Sequence, residues 1–129
     1  MQHHTRAMVA ACVFAVLTGK KVAGMYDHCA QRRLKVAAQS RGNVLRGFDG
    51  DRGTGFAGTL PELFDAGDQT YISCEIDGET AKGYDRGSSS AFSAHISEDL
   101  VRVYDYGEEA WFAYDIQDPQ AEKSYHRTL

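Results

Sequence analysis

Apolar and polar residues alternate along much of this chain with a period of two, the pattern of strands that bury one face. In Leu100-Val101-Arg102-Val103-Tyr104, Val101 and Val103 face opposite to Arg102. In Ala110–Ile116, Phe112, Tyr114 and Ile116 share a face, with Trp111 on the other. The pattern predicts strands at roughly 9–18, 20–26, 33–40, 43–48, 55–60, 62–64, 70–77, 79–84, 90–97, 100–105 and 109–117. One stretch does not alternate: Ala7–Leu17 is continuously apolar. Its alanines favour helix, while Val9, Val13, Phe14 and Val16 favour strand. We read it as a buried strand that turns at Thr18–Lys21. The rival reading is a short N-terminal helix covering a barrel mouth.

Beneath the alternation lies a repeat. An aromatic residue followed by Asp occurs at Tyr26-Asp27, Phe48-Asp49, Phe64-Asp65, Tyr84-Asp85 and Tyr104-Asp105, with Asp-to-Asp spacings of 22, 16, 20 and 20. Seven residues after each Asp stands an apolar residue, namely Leu34, Phe56, Ile72, Phe92 and Phe112. Gly67, Gly87 and Gly107 follow their Asp by two positions. The physical unit is a β-hairpin. The aromatic ends one strand, and the Asp carboxylate accepts a hydrogen bond from the backbone N–H two residues on. Gly supplies a positive φ, and the returning strand sets its apolar residue beside the aromatic as a cross-strand pair. A further pair, Tyr114-Asp115, lacks the downstream partner and marks the end of a strand.

Between these turns lie others: Thr18-Gly19-Lys20, Arg41-Gly42-Asn43, Thr59-Leu60-Pro61-Glu62, Ser97-Glu98-Asp99 and Asp77-Gly78, the last a signal for a type I′ hairpin. Alternation of the two turn kinds implies an all-β, up-and-down antiparallel meander of about ten strands. All aromatic–Asp turns then gather at one end. So many strands would leave long open edges unless the sheet closes. The expected fold is therefore a closed or nearly closed barrel, with a β-sandwich as the alternative. Residues 1–129 make a single domain, with a core at about 7–117 and a polar C-terminal tail at 118–129.

Composition adds three points. The 13 Gly against 2 Pro suit tight turns and uninterrupted ladders. Residues 1–46 hold eight Lys/Arg and one acid, while 47–129 hold six bases and seventeen acids. A basic stretch can mark a nucleic-acid patch, but a pI of about 5.7 argues against that partner and leaves a homo-oligomer joining opposite charges as an option. Three cysteines without CxxC spacing point to a reducing, cytoplasmic setting. Export is the alternative if 7–17 is a signal h-region. That run is too short to span a membrane.

Candidate chemistry centres on the turn carboxylates. A closed meander places Asp27, Asp49, Asp65, Asp85 and Asp105 around one rim, with Asp51 and Asp68 nearby and Tyr26, Tyr84, Tyr104 and Tyr106 flanking it. Rings next to carboxylates suit a sugar, a cationic ligand or a basic protein partner. The competing reading has each Asp serving only its own turn. Asp49-Gly50-Asp51-Arg52-Gly53 lacks the residues that complete a calcium loop. Ser88–Ser90 near His95 has no Gly-x-Ser-x-Gly elbow. His28, His95 and Cys29 lack metal-ligand spacing, and His3-His4 has no assignable partner. No cofactor motif stands out. The chain reads as a non-catalytic β-repeat domain that binds a small ligand or protein partner at the aromatic–Asp end. The alternatives are an enzyme with a site in the barrel mouth, or a structural and oligomerisation module.

Overall fold

A computed structural model describes residues 1–117, so the tail expected at 118–129 lies outside the described residues. Helix α1 (His3–Thr18) leads into eleven strand segments. They are β1 (Met25–Asp27), β2 (Arg32–Leu34), β3 (Val36–Arg41), β4 (Val44–Asp49), β5 (Thr54–Thr59) and β6 (Glu62–Asp65). β7 (Thr70–Asp77), β8 (Thr80–Asp85), β9 (Ser90–Ser97), β10 (Leu100–Asp105) and β11 (Ala110–Ile116) complete the set. All eleven form one sheet in the order β2-β1-β11-β10-β9-β8-β7-β6-β5-β4-β3. Every pairing is antiparallel, and β1 pairs with β11.

The two outer segments, β2 and β3, are separated by Lys35 alone. Met25 faces Leu34 across the β1–β2 ladder, and Val22 bridges Ala38 further along. Three steps back on one strand thus match four steps forward on the other, so the strand carries one extra residue. That is a β-bulge. Lys35 lies at it, its N–H donating to Asp51 Oδ2 and its carbonyl accepting from the Gly50 N–H. Counting β2 and β3 as one bulged strand, ten strands run around a nearly closed barrel.

Residues 7–17 are helical, which corrects the strand reading. A barrel of about eight strands is just wide enough for side chains to fill, and wider ones need something more. Here α1 is that filling. Its residues from Thr5 to Ala15 are all buried, many without measurable exposure. A helix enclosed on every side needs no polar face, so the run shows no amphipathic period. Ala7, Ala10, Ala11 and Ala15 keep it slim enough to fit. Gly19, at φ 71°, ends the helix in the left-handed conformation with its N–H on the Ala15 carbonyl.

Along the strands, inward residues alternate with outward ones as expected. The cross-strand partner of each apolar residue is different from the one predicted. Leu34, Phe56, Ile72, Phe92 and Phe112 face Met25, Gly47, Leu63, Gly83 and Val103, the residues two before each Asp. Residues adjacent on a strand point to opposite faces, so the aromatic just before Asp cannot share the interior with it. Gly47 and Gly83 give way to rings: a Cβ at Gly47 would meet the Phe56 ring and the Ala37 carbonyl, and one at Gly83 the Phe92 ring and the Ser73 carbonyl.

The positive φ of the repeat turn also sits elsewhere. It falls four residues after Asp in all five copies, at Gln31, Gly53, Gln69, Ser89 and Glu109. Gly67 and Gly107 instead lie where the neighbouring turn crowds them, against Arg52 and Thr54 and against Ser90. At the other end, Asp77 pairs with Thr80, leaving Gly78-Glu79 as the loop. Only Gly78 has positive φ there, which fits type II′ rather than the type I′ expected.

Two outcomes follow for stability. Gly83→Ala should destabilise by roughly 1–3 kcal/mol or more, because a backbone carbonyl cannot move aside as a side chain can. Gln69→Gly should stabilise by up to about 1 kcal/mol, since relief at a left-handed site exceeds the added entropy of the unfolded chain. Urea unfolding of the two variants beside the parent protein measures both.

Candidate functional site

The five repeat carboxylates lie at one end of the barrel and turn inward, all nearly or fully buried. Each Oδ1 accepts the N–H two residues on, from Cys29, Asp51, Gly67, Gly87 and Gly107, at 2.9–3.0 Å. In three copies it also accepts the next N–H, from Ala30, Arg52 and Glu108. The first role of these groups is therefore to close their own turns. The N-terminal end of α1, where unpaired N–H groups concentrate positive charge, lies at the same mouth.

The second oxygens differ, and the differences carry the chemistry. Asp105 Oδ2 lies 3.0 Å from the Met1 amino nitrogen and 3.0 Å from Arg6 Nη1, all three groups being buried. Arg6 also donates to the Met1 carbonyl, contacts His3 Nδ1 and stacks 3.7 Å above the centre of the Phe112 ring. Burial alone would raise the Asp105 carboxyl, but the amino group, Arg6 and the Glu108 N–H outweigh it and hold it below the usual range. Nearby Tyr114 points inward, and its hydroxyl is raised by burial and then by the charge of Asp27. Asp85 Oδ2 accepts from Ser88 Oγ at 2.6 Å. Arg52 Nη1 approaches Asp65 Oδ2 at 3.3 Å and Asp49 Oδ2 at 3.6 Å, while its Nη2 lies 3.3 Å from Asp68 Oδ1. His4 Nε2 meets the other Asp68 oxygen at 2.6 Å.

The predicted rim of rings beside carboxylates divides between two faces. Tyr26, Tyr84 and Tyr104 lie on the outer wall, where Tyr104 packs edge-on against Tyr106 and Trp111, and Tyr26 against His28. Asp27, Asp49, Asp65, Asp85 and Asp105 lie within. The reason is the strand's alternation, which separates every aromatic from the Asp that follows it. A ligand seated among the carboxylates does not touch those rings.

What the mouth does contain is a cavity of about 460 Å³ beside the Lys35 bulge. Ala7, Leu34 and Val36 give it an apolar floor. Its polar lining comes from His3 and His4 on the first turn of α1, from Asp27 and Asp49, and from Arg32, Asp51 and Arg52. Asp27 and Asp49 belong to the expected rim, and Asp51 to its expected surroundings. The local sequence offers His3-His4 no partner and gives no sign that Arg52 lines a cavity. A helix threaded through the barrel is what brings residues 3 and 4 to the turns at 49–52 and 65–68.

Other candidates separate. Ser90 is buried, while His95 is exposed on the outer wall near Trp111, so no serine–histidine pair forms there. The 49–53 loop is stitched to Lys35 through Gly50 and Asp51. Cys12 and Cys74 are buried thiols raised by desolvation, Cys74 to about 12, and so are poor nucleophiles. Among the described residues, no helix is long and apolar enough to cross a membrane.

Asp105→Asn keeps the turn acceptor but removes the charge facing Arg6 and the amino group, so a loss of about 3–5 kcal/mol is expected. The native carboxyl titrates below its unfolded value of about 3.9. Its contribution is therefore complete above that pH and disappears as pH falls through the lower, folded value. Denaturant unfolding across the acid range should show this slope in the parent protein and a weaker one in Asp105→Asn. No family model matches the chain, and no curated protein or solved structure similar to it was found.

Proposed function

We propose that this protein is a binding module whose cavity beside the Lys35 bulge holds a small molecule with a short apolar part and a charged or polar head. One observation carries this reading: at the aromatic–Asp mouth, α1 leaves a space whose floor is apolar and whose rim holds both signs of charge. Its size is within the range of small-molecule sites, which combine apolar walls with a few placed polar groups. Asp27 and Asp49 already spend one oxygen each on their turns, which orients the other. The outer rings are not part of this site.

A catalytic site deep along the barrel axis has less support, since α1 occupies that axis with buried side chains. An assembly module is not favoured by any contact described above. The charge asymmetry does become spatial, because a meander converts a stretch of chain into a sector of wall. Arg32, Arg33, Lys35, Arg41 and Arg46 are all exposed on β2 to β4 and the bulge between them.

A fragment screen by ligand-observed NMR tests the reading, using small carboxylates, amines and zwitterions that carry a short apolar part. Hits should lose binding in Ala30→Trp, which fills the cavity from an exposed turn, and keep it in Tyr84→Ala on the outer wall. Hits that survive Ala30→Trp, or a screen with none, would reject the assignment.

A further inference from the structure

We infer that His4, Asp65 and Asp68 form a site for a divalent transition-metal ion such as zinc, for which Arg52 is the resident substitute cation. The inference does not depend on the cavity holding an organic ligand. His4 Nε2 and one oxygen from each carboxylate all lie within 4.8 Å of one another. Tetrahedral zinc with bonds of about 2.0–2.2 Å sets its ligand atoms roughly 3.4 Å apart. The His4–Asp68 contact of 2.6 Å therefore opens by somewhat under 1 Å on binding, roughly the difference from that tetrahedral spacing, and the remaining pairs, within 4.8 Å, are in reach of it. One imidazole with two carboxylates is a donor set that zinc accepts, and it leaves a position open for water.

Three features make this more than a group of surface acids. Asp65 is buried and its Oδ1 is fixed by the Gly67 N–H, so Oδ2 is aimed before any ion arrives. His4 is held by the first turn of a helix locked in the barrel, and its Nε2, not its Nδ1, faces Asp68. The charges are also out of balance. Asp49, Asp65 and Asp68 converge on the single guanidinium of Arg52. One positive charge among three carboxylates leaves room for a second, or for a divalent replacement. Arg52 lines the neighbouring cavity and so has space to turn away from Asp65 and Asp68. His4 and Asp68 are partly exposed, which gives an ion a path from solvent.

Isothermal titration of the full chain with zinc chloride, repeated with cobalt(II) to read its visible absorption, tests the site. One ion per chain is expected, with a tetrahedral cobalt spectrum. His4→Gln and Asp68→Asn should each weaken binding by about ten-fold or more, since even groups supporting a ligand matter by 10–100-fold. Arg52→Gln, with the competing cation gone, should bind more tightly than the parent. Asp68→Asn, on an exposed turn, gives the answer if His4→Gln unsettles the helix, and thermal melts confirm folding in each. Absence of binding at millimolar zinc in both the parent and Arg52→Gln overturns the inference. Binding left unchanged by His4→Gln and Asp68→Asn overturns it too, by placing the ion elsewhere, for example on His3.

Discussion

At each aromatic–Asp corner a carboxylate is buried, facing inward, with one oxygen bound to the N–H two residues on. This constraint sets much of the molecule. A buried carboxylate is tolerated only when its oxygens are satisfied, so each Asp fixes its turn and asks for a second partner inside the mouth. Different groups meet that demand: the Met1 amino group and Arg6 at Asp105, Ser88 at Asp85, and Arg52 from a wall turn at Asp49 and Asp65. Asp105 shows it most fully, with the Met1 amino group and Arg6 on one oxygen and two turn amides on the other. At Asp105, wall and filling are therefore matched electrically as well as by shape.

The repeat also fixes what each position can be. The residue two before Asp faces the apolar residue seven after it: the buried rings of Phe56 and Phe92 take Gly47 and Gly83, while the half-buried Phe112 takes Val103. Where the returning residue is Leu or Ile, Met25 and Leu63 fill the space. The aromatic next to Asp falls outside, giving the barrel a discontinuous collar of exposed rings. Phe48 and Tyr84 are close to half exposed, as is Trp111, which packs against Tyr104.

The one irregularity in the wall lies where the chemistry gathers. The extra residue at Lys35 ends the pairing of β2 with β1 and begins that of β3 with β4. A bulge bends its strand, and the cavity forms on the inner side of that bend. The neighbouring turn carries Arg52, which reaches across to Asp65 and Asp68. The short spacing from Asp49 to Asp65, set by the brief β5–β6 hairpin, belongs to the same region.

The order of strands, the two alternating turn kinds and the Asp-to-amide bond were legible from residues alone. Each depends on contacts between near neighbours in sequence, and a meander is built from such contacts. The conformation of 7–17 was not legible, because a segment buried on every side carries no period to distinguish helix from strand. The separation of each aromatic from its Asp follows from local alternation; what hid it is that each Asp is the last residue of a strand, where it reads equally well as the first residue of a turn. The cavity and the His4–Asp65–Asp68 cluster were beyond reach for a third reason. They join a helix at the start of the chain to turns tens of residues away, and only threading α1 through the barrel brings those groups together.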